Sequence, residues 1–232
     1  MQILCVRGLW WLGFFFFFVA FLFVSRYGID RVFENRTNHT LIYNMGASAT
    51  QVSILASTSY KSKDRGRKLT VGTATVVGKG WNQFLGAGAF TDRLIEYLAD
   101  VVNAEHLSAK GQDVRTMVRP MAKLRKGADK VKEVLSANED FVLFIESLTR
   151  DLDFRTVVER STLEEVAADL IEAVAQPVHD ALAAAKLTLD DIDAVEVVGG
   201  GVRIPAVQAQ LRKLFAPYVH TAFALCGGRI AL

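Results

Sequence analysis

Two turns of small residues each follow a predicted strand, and their composition is typical of backbone that approaches an anion. The first turn spans residues 44–48 (Asn-Met-Gly-Ala-Ser), and the second spans residues 199–201 (Gly-Gly-Gly). Where side chains are small, successive N–H groups can face a phosphate. The second turn also leads into a helix N-terminus, which favours an anion or a nucleotide. The dinucleotide fingerprint G-x-G-x-x-G is absent, and each turn taken alone is better explained as a plain tight turn.

The alternation and spacing of apolar residues predict the elements that hold these turns. Strands are predicted at residues 40–43, 50–55, 69–77, 141–148, 154–158 and 194–198. Helices are predicted at residues 89–102, 115–135 and 205–215. Pro205 suits the first turn of the last helix, where its missing N–H costs nothing. Pro120 favours a start of the second helix close to it.

Two further segments carry local signals. Residues 161–164 (Ser-Thr-Leu-Glu) have the pattern of a capping box, in which the serine and glutamate side chains satisfy backbone N–H groups reciprocally. This box predicts a long helix that runs towards Ala185 and bends at Pro177. The charged segment 61–68 is predicted to be a solvated hairpin loop.

Four segments, in this order along the chain, resemble the nucleotide-binding domain of the 70-kilodalton heat-shock chaperones. They are similar to the second phosphate loop (27–30 with 41–48), the connecting segment after it (85–93), the adenosine-contacting helix (130–138) and the adenosine motif (197–208). The adenosine motif is the most specific match, and order and spacing hold over residues 27–215. The Met-Gly-Ala-Ser turn and the Leu-Ser-Ala-Asn run favour the large ER-lumenal branch, the 170-kilodalton glucose-regulated or hypoxia up-regulated type.

The resemblance implies an α/β fold of the actin-like ATPase (ribonuclease H-like) type, present in part, with ATP or ADP and Mg as cofactors between two subdomains. It assigns ten residues to the nucleotide. Gly46, Ala47, Ser48 and Gly86 would lie near the phosphates, Lys132 and Ser136 at the ribose or adenine edge, and Gly199, Gly200, Gly201 and Arg203 at the adenine. The alternatives are that Gly200 simply turns the chain and that Arg203 is a solvent-exposed charge.

The sequence departs from the family pattern at residues that would bind the metal ion or pair across the adenine. Asn44 stands where the family has a carboxylate that helps to hold magnesium, and an amide cannot supply that charge to a hard cation. Ala47 and Ala87 replace two family glycines, and Glu133 replaces the cation that pairs with the arginine across adenine. The first half of the family's domain, with phosphate loop 1 and its catalytic lysine, has no counterpart. We therefore expect no catalytic residue and no metal site in this chain.

The N-terminal stretch is a separate, strongly apolar segment. Residues 8–24 carry no charge and include five consecutive phenylalanines at 14–18. As a helix this run would span roughly 25 Å, close to the lower limit for crossing a bilayer. We interpret residues 1–26 as a signal peptide or signal anchor; the alternative is translated non-coding sequence. The sequons at Asn35 and Asn38 agree with a glycosylated, lumenal position for the chain that follows.

Composition narrows the range of partners. Apolar residues form 51% of the 232-residue chain, charged residues form 22%, and the net charge is +2, so no nucleic-acid partner is predicted. Cys5 and Cys226 lie near opposite ends and exclude a disulfide framework or a cysteine metal site. The four histidines are scattered without the spacing of metal ligands.

The resemblance implies an ATP-binding chaperone of the endoplasmic reticulum. Its partners would be unfolded protein clients and a partner chaperone of the same family, on which the large branch promotes nucleotide exchange. We expect a hydrophobic segment at 1–26, a partial nucleotide-binding domain at 27–215 and a divergent tail at 216–232. The chain would lie in the lumen, or be anchored in the membrane facing the lumen, and would be inactive alone. Two alternatives stay open: a non-catalytic, membrane-anchored interaction module on the same scaffold and, far less favoured, a sugar or acetate kinase of the same superfold.

Overall fold

The computed structural model describes residues 36–64, 67–107, 111–149, 152–216, 223–225 and 228–230. For residues 60–71 and the last two segments, only the backbone is described. The apolar run at 8–24, Asn35 and most of the tail lie outside the described residues. Among the residues that are described, no helix is long and apolar enough to cross a membrane.

The described residues form two β-sheets. The strands are β1 (Asn38–Met45), β2 (Thr50–Asp64), β3 (Arg67–Asn82), β4 (Asp140–Thr149), β5 (Leu152–Glu159), β6 (Ala194–Val198), β7 (Phe223–Leu225) and β8 (Gly228–Ile230). The larger sheet has the order β3-β2-β1-β6-β7-β8, and β4 pairs with β5 separately. β2 runs antiparallel to β1, whereas β6 runs parallel to β1 on its other side. Leu41, Tyr43 and Met45 alternate along β1 and are fully buried on one face of the sheet, the pattern expected of a strand.

The helices of the described residues are α1 (Ala87–Val102), α2 (Val118–Leu135), α3 (Arg160–Val166), α4 (Ala168–Glu172), α5 (Gln176–Ala185) and α6 (Pro205–Phe215). α5 packs against β2 and β3, and α1 packs against α2. Phe90, Leu94 and Leu98 of α1 are fully buried at the helical spacing that the sequence showed. The predicted mixed α/β architecture is therefore confirmed.

The charged segment at 61–68, predicted to be a loop, is mostly strand. β2 and β3 pair antiparallel until Asp64 lies opposite Arg67, so two residues separate the strands. A two-residue connection is the commonest hairpin loop, and cross-strand pairing satisfies backbone groups that a longer loop would leave to water. The prediction of a hairpin is confirmed, but the long loop is wrong.

The predicted adenosine-contacting helix is the C-terminal part of α2, which packs against the hairpin of β4 and β5. Ile145 of β4 packs against α2 so closely that a Cβ at Gly127 would lie 3.1 Å from its Cδ1 atom. A 3-10 turn at Val114–Thr116 comes before α2. The helix therefore begins at Val118, three residues after the predicted start, and Pro120 lies in its first turn as predicted.

The predicted capping box at residues 161–164 is wrong. α3 begins at Arg160 with Glu159 at the N-cap position, two residues before the predicted cap, and the Ser161 hydroxyl donates to the Glu159 carboxylate (3.2 Å) instead of capping the helix. The Arg160 guanidinium fixes this start, because it donates to the carbonyl of Leu135 at the end of α2 (3.0 Å). This contact between distant segments outweighs the local capping signal.

The predicted continuous helix as far as Ala185 is also wrong. It is divided into α3, α4 and α5, with one break at Ala167 (φ −113°, ψ 18°) and another at the 3-10 turn Ala173–Ala175. Pro177 lies in the first turn of α5. Proline has no N–H for the preceding turn and is costly inside a helix. Just before Pro177 the α-helix therefore gives way to a 3-10 turn, where the sequence predicted a bend.

Candidate nucleotide-binding site

The two turns of small residues lie side by side at one edge of the larger sheet. β1 and β6 are adjacent and parallel, with Asn44 opposite Val198, so both strands lead into their following turns at the same edge. In open α/β sheets, ligands bind outside the carboxyl ends of the strands. The structure therefore brings together the two segments that the sequence identified separately.

Glycine allows the second turn to lie directly on the first. Gly199 has a φ of +99°, a conformation that residues with a side chain rarely adopt. A Cβ at Gly199 would lie 2.2 Å from the carbonyl oxygen of Met45 and 2.9 Å from the Asn44 side-chain oxygen. A Cβ at Gly201 would lie 2.6 Å from the Met45 Cγ atom. Both glycines are therefore required for packing.

Gly200 and Arg203 differ from these two glycines because they face open space. Apart from Gly200 and its two chain neighbours, no heavy atom of the described residues lies within 4 Å of the position that a Cβ would take at Gly200. Arg203 ends the 3-10 turn Gly200–Arg203 and is exposed. An open backbone and an exposed cation allow the stacking of an aromatic ring. They equally fit the alternative that Gly200 turns the chain and Arg203 is a solvent-exposed charge, so the role at the adenine stays a prediction.

The first turn is held by the N-terminus of α1. The N–H of Ala87 donates to the Gly46 carbonyl (3.0 Å), and the N–H of Gly88 donates to the Ala47 carbonyl (2.7 Å). The first N–H groups of a helix have no partner within the helix, and the turn satisfies two of them. Ala47 and Ser48 are exposed. A phosphate at this turn would therefore bind at Ala47 and Ser48 rather than at these two helix amides.

Gly86 belongs to the same contact. A Cβ at Gly86 would lie 2.5 Å from the carbonyl oxygen of Ala47 and 2.7 Å from the backbone nitrogen of Ala49. The buried Thr50 hydroxyl donates to the Leu85 carbonyl (2.6 Å). The link between β3 and α1 therefore lies directly against the backbone of the first turn, and Gly86 is a packing residue behind it.

Lys132 belongs to α2, and its side chain reaches α1 and donates to three acceptors. Its Nζ atom is 2.6 Å from Thr91 Oγ1, 3.1 Å from the Ala87 carbonyl oxygen and 3.2 Å from Asp129 Oδ1. The Lys132 side chain is only 15% exposed, so its charge is largely shielded from water. The Thr91 hydroxyl donates in turn to Asp129 Oδ1 (2.7 Å). The lysine predicted at the ribose edge is thus tied to the helix that holds the first turn.

The Asp129 carboxylate is stabilised within this cluster. Partial burial acts to raise the pKa of Asp129, but hydrogen bonds from Thr91 and Lys132 and the charge of Lys132 outweigh that effect. The pKa of Asp129 consequently lies below its usual value. Asp129 therefore stays ionised near neutral pH and keeps its ion pair with Lys132.

Ser136, a predicted site residue, and Glu133, which replaces a family cation, lie near the end of α2. The Ser136 hydroxyl donates to the carbonyl of Lys132 (2.9 Å) and so closes the last turn of the helix. Glu133 is exposed and follows Lys132 directly, so the two side chains point away from each other around the helix.

The strand ends beside the first turn carry amide side chains. Asn44 is half-buried, and its partner across the β1–β2 pair is Gln51. Neither side chain provides the negative charge that carboxylate ligands bring to a hard cation. Within the ranges that the structure describes, no group of three or more His, Cys, Asp or Glu residues could hold a metal ion. The residues present therefore do not fit a magnesium ion held directly by the protein.

Sequence reasoning missed three residues that organise this region, namely Thr91, Asp129 and Arg160. Asp129 lies three residues before Lys132 on one helix, a spacing that allows an ion pair and could have indicated it. Thr91 lies 41 positions from Lys132, and Arg160 lies 25 positions from Leu135. No local pattern indicates contacts of that kind.

Comparison with known proteins identifies the family of the chain. Residues 25–223 match the family model described as Hsp70 protein. The chain belongs to the Hsp70 family. The resemblance predicted from the sequence is confirmed, and the mixed α/β architecture agrees with the actin-like ATPase fold of this family.

The similar proteins are chaperone-family members that are much longer than this chain. Heat shock 70 kDa protein 17 of Arabidopsis thaliana is 37% identical over 188 residues, and Hypoxia up-regulated protein 1 of Gallus gallus is 41% identical over 173 residues. Hypoxia up-regulated protein 1 of Homo sapiens is 38% identical over 189 residues. These matches cover 81%, 75% and 81% of this chain but 22%, 17% and 19% of the three relatives. The chain thus spans about a fifth of their length, and relatives from the hypoxia up-regulated branch are among them, as predicted.

Proposed function

We propose that this chain binds adenine nucleotides at the sheet edge between its two turns of small residues. The observation that carries the proposal is the contact of Gly199 with Met45, which places the two turns against each other and leaves Gly200 open beside them. An Hsp70-family chain that keeps this contact keeps the scaffold on which a nucleotide can lie. Nucleotide binding is thus the part of the family's ATP-dependent chaperone activity that we assign to this chain.

The proposed site follows the nucleotide from its phosphates to its base. It comprises Gly46, Ala47, Ser48, Gly86, Lys132, Ser136, Gly199, Gly200, Gly201 and Arg203. Of these, Gly86, Gly199 and Gly201 shape the site by packing against the backbone or side chain of the first turn. Small residues at the first turn let N–H groups approach phosphate oxygens. Lys132, whose charge is paired with Asp129, lies behind that turn. The guanidinium of Arg203 stacks on the adenine, which contributes about 0.5–2 kcal/mol depending on desolvation.

We propose binding without hydrolysis by this chain alone. Phosphoryl transfer depends on holding the phosphates, the metal ion and the attacking water in one arrangement. Asn44 and Gln51 provide amides where a metal ion would need charge, and we expect the purified chain to show no measurable ATPase activity. Turnover that disappears in a Gly46→Asp variant would contradict this proposal.

The chaperone role that we propose includes unfolded protein clients and a partner chaperone on which nucleotide exchange is promoted. Hsp70-family membership supports the clients, and the similarity to Hypoxia up-regulated protein 1 supports the endoplasmic reticulum as the location. We further propose that residues 27–215 form a partial nucleotide-binding domain, preceded by a targeting segment at 1–26 and exposed to the lumen. Asn35 and Asn38 would then carry glycans.

The second candidate is a non-catalytic, membrane-anchored interaction module on the same scaffold. One observation favours it, because the N–H groups of Ala87 and Gly88 are already bonded to the first turn. Two donors at a helix N-terminus, where phosphate often binds, are therefore used within the chain. Such a module would keep the fold and bind no nucleotide.

Titration of the isotope-labelled chain with ADP, followed by amide NMR shifts, separates the two candidates. We expect shifts at residues 46–48 and 199–203, with a dissociation constant on the order of 1 mM or weaker, since Glu133 cannot close the second face of the base. Ribose 5-phosphate, which lacks the base, is the matched control and should shift residues 46–48 only. An absence of shifts with ADP, or shifts confined to other parts of the chain, would contradict nucleotide binding.

A further inference from the structure

One residue, Ala87, connects the first turn to α2. Its N–H donates to the carbonyl of Gly46 (3.0 Å), and its carbonyl accepts from the Nζ atom of Lys132 (3.1 Å). Lys132 is therefore separated from the backbone of the first turn by a single residue of α1.

The ammonium group of Lys132 is fully used by its neighbours. A lysine ammonium has three N–H donors, and three acceptors lie within 3.2 Å of it, from Thr91, Ala87 and Asp129. Thr91 is buried, with 2% of its surface exposed. Hydrogen bonds that involve a charge are strong, and low local polarity strengthens them further. The cluster therefore holds α1 and α2 in one relative position at the site.

The hydroxyl of Thr91 sets the direction of these bonds. It donates to Asp129 (2.7 Å), which leaves its oxygen lone pairs to accept from Lys132 (2.6 Å). Without this hydroxyl, Lys132 would lose its shortest hydrogen bond and Asp129 would lose a donor.

We infer that Lys132 is a positioning residue that fixes the first turn through Ala87, with Thr91 and Asp129 as its supports. The consequence for nucleotide affinity rests on the proposed function, whereas the effect on the turn is a property of the chain itself. Loss of the cluster should loosen the bonds from Ala87 and Gly88 to the turn while the sheet stays intact. The same residue would then both border the ribose and hold the phosphate-side turn in place.

Native-state hydrogen exchange at the amides of Ala87 and Gly88 tests this inference without any nucleotide. Lys132→Met removes the charge, and Thr91→Val removes only the hydroxyl at nearly constant shape. Both variants should accelerate exchange at these two amides about tenfold, because loss of a charge-assisted hydrogen bond promotes local opening. The amide of Val197, in the buried strand β6, reports on the overall fold and should be unaffected.

Two matched variants serve as controls. Thr91→Ser restores the hydroxyl and should restore slow exchange. Lys130→Met removes a neighbouring charge from the same helix, where the amine lies 5.8 Å from the Phe141 ring centre, and should leave the exchange of Gly88 unchanged. Unchanged exchange in both test variants would overturn the inference, and so would equal acceleration at Val197, because the effect would then be a general loss of stability. Neither outcome bears on the ADP titration, so the two proposals can fail separately.

Discussion

Gly199 lies against the carbonyl group of Met45 so closely that a Cβ at residue 199 would be 2.2 Å from the oxygen. This contact joins the turn after β6 to the last residue of β1. At the next residue, Gly200, the described part of the chain places no heavy atom within 4 Å of the Cβ position, its two neighbours in the chain excepted. These adjacent glycines of one turn therefore have different roles. Gly199 allows close packing, and Gly200 leaves open space.

Gly199→Ala should destabilise the fold, whereas Gly200→Ala should not. A side chain at residue 199 would be held at a φ of +99°, and such strain costs about 1–3 kcal/mol, to which the contact with Met45 adds. Gly200→Ala should change the free energy of unfolding by less than about 0.5 kcal/mol. Urea unfolding followed by circular dichroism measures both variants. A similar loss of stability in the two would contradict the distinction between these glycines.

Asn44→Asp should create a dependence on magnesium that the wild-type chain lacks. The amides of Asn44 and Gln51 offer no charge to a cation, so the ADP affinity of the wild type should be the same in magnesium and in EDTA. A carboxylate at residue 44 would repel the phosphates in EDTA, and magnesium should restore affinity because it prefers such oxygen ligands. Asn44→Gln keeps the amide and is the control. A wild-type affinity that falls about tenfold in EDTA would contradict the amide site.

The stability contribution of Asp129 should disappear in acid. Its pKa is lowered in the folded chain, so its contribution to the free energy of unfolding is fully present above the ordinary aspartate pKa of about 3.9. That contribution is lost as the pH falls through the lower, folded-state pKa. The stability difference between the wild type and Asp129→Asn should therefore shrink below about pH 4. Urea unfolding at a series of pH values measures it, and a difference that stays constant down to about pH 2 would show that the ion pair does not stabilise the fold.

Expression in a secretory system should add glycan to Asn35 or Asn38. Asn38 is the first residue of β1, and both sequons lie on the lumenal side in the proposed topology. Glycosidase treatment should shift the electrophoretic band of the wild type and leave a variant with both asparagines changed to glutamine unaffected. A membrane-associated wild type with no band shift would place this domain in the cytosol instead.

Elements with strong local constraints were predictable from the sequence. The strand at 194–198 and the helix at 205–215 coincide with β6 and α6. The glycine turn ends the strand, and Pro205 fits only the first turn of a helix, so both boundaries are encoded by the residues that form them. The two turns of the candidate site were found for the same reason.

Features that depend on distant partners were not predictable in this way. The start of α3 is set by the bond from Arg160 to Leu135, which competes with a good capping pattern at Ser161. Lys132 was predicted as a site residue, but its bonds depend on Thr91, which belongs to another helix. Local propensity is a weak guide wherever tertiary contacts decide, and these contacts join segments that are remote in the sequence.

The ADP titration of Arg203→Ala is the most direct test of nucleotide binding at the two turns. Stacking of the guanidinium on adenine contributes about 0.5–2 kcal/mol, and binding near 1 mM would become undetectable by NMR without it. Arg212→Ala removes an exposed charge of α6 away from the turn and should leave the titration unchanged, while Glu133→Arg should strengthen it by closing the second face of the base. We predict that the ADP-induced shifts at residues 199–203 disappear in Arg203→Ala and persist in Arg212→Ala. Unchanged shifts in Arg203→Ala would contradict it and leave Gly199, Gly200 and Gly201 as a simple turn.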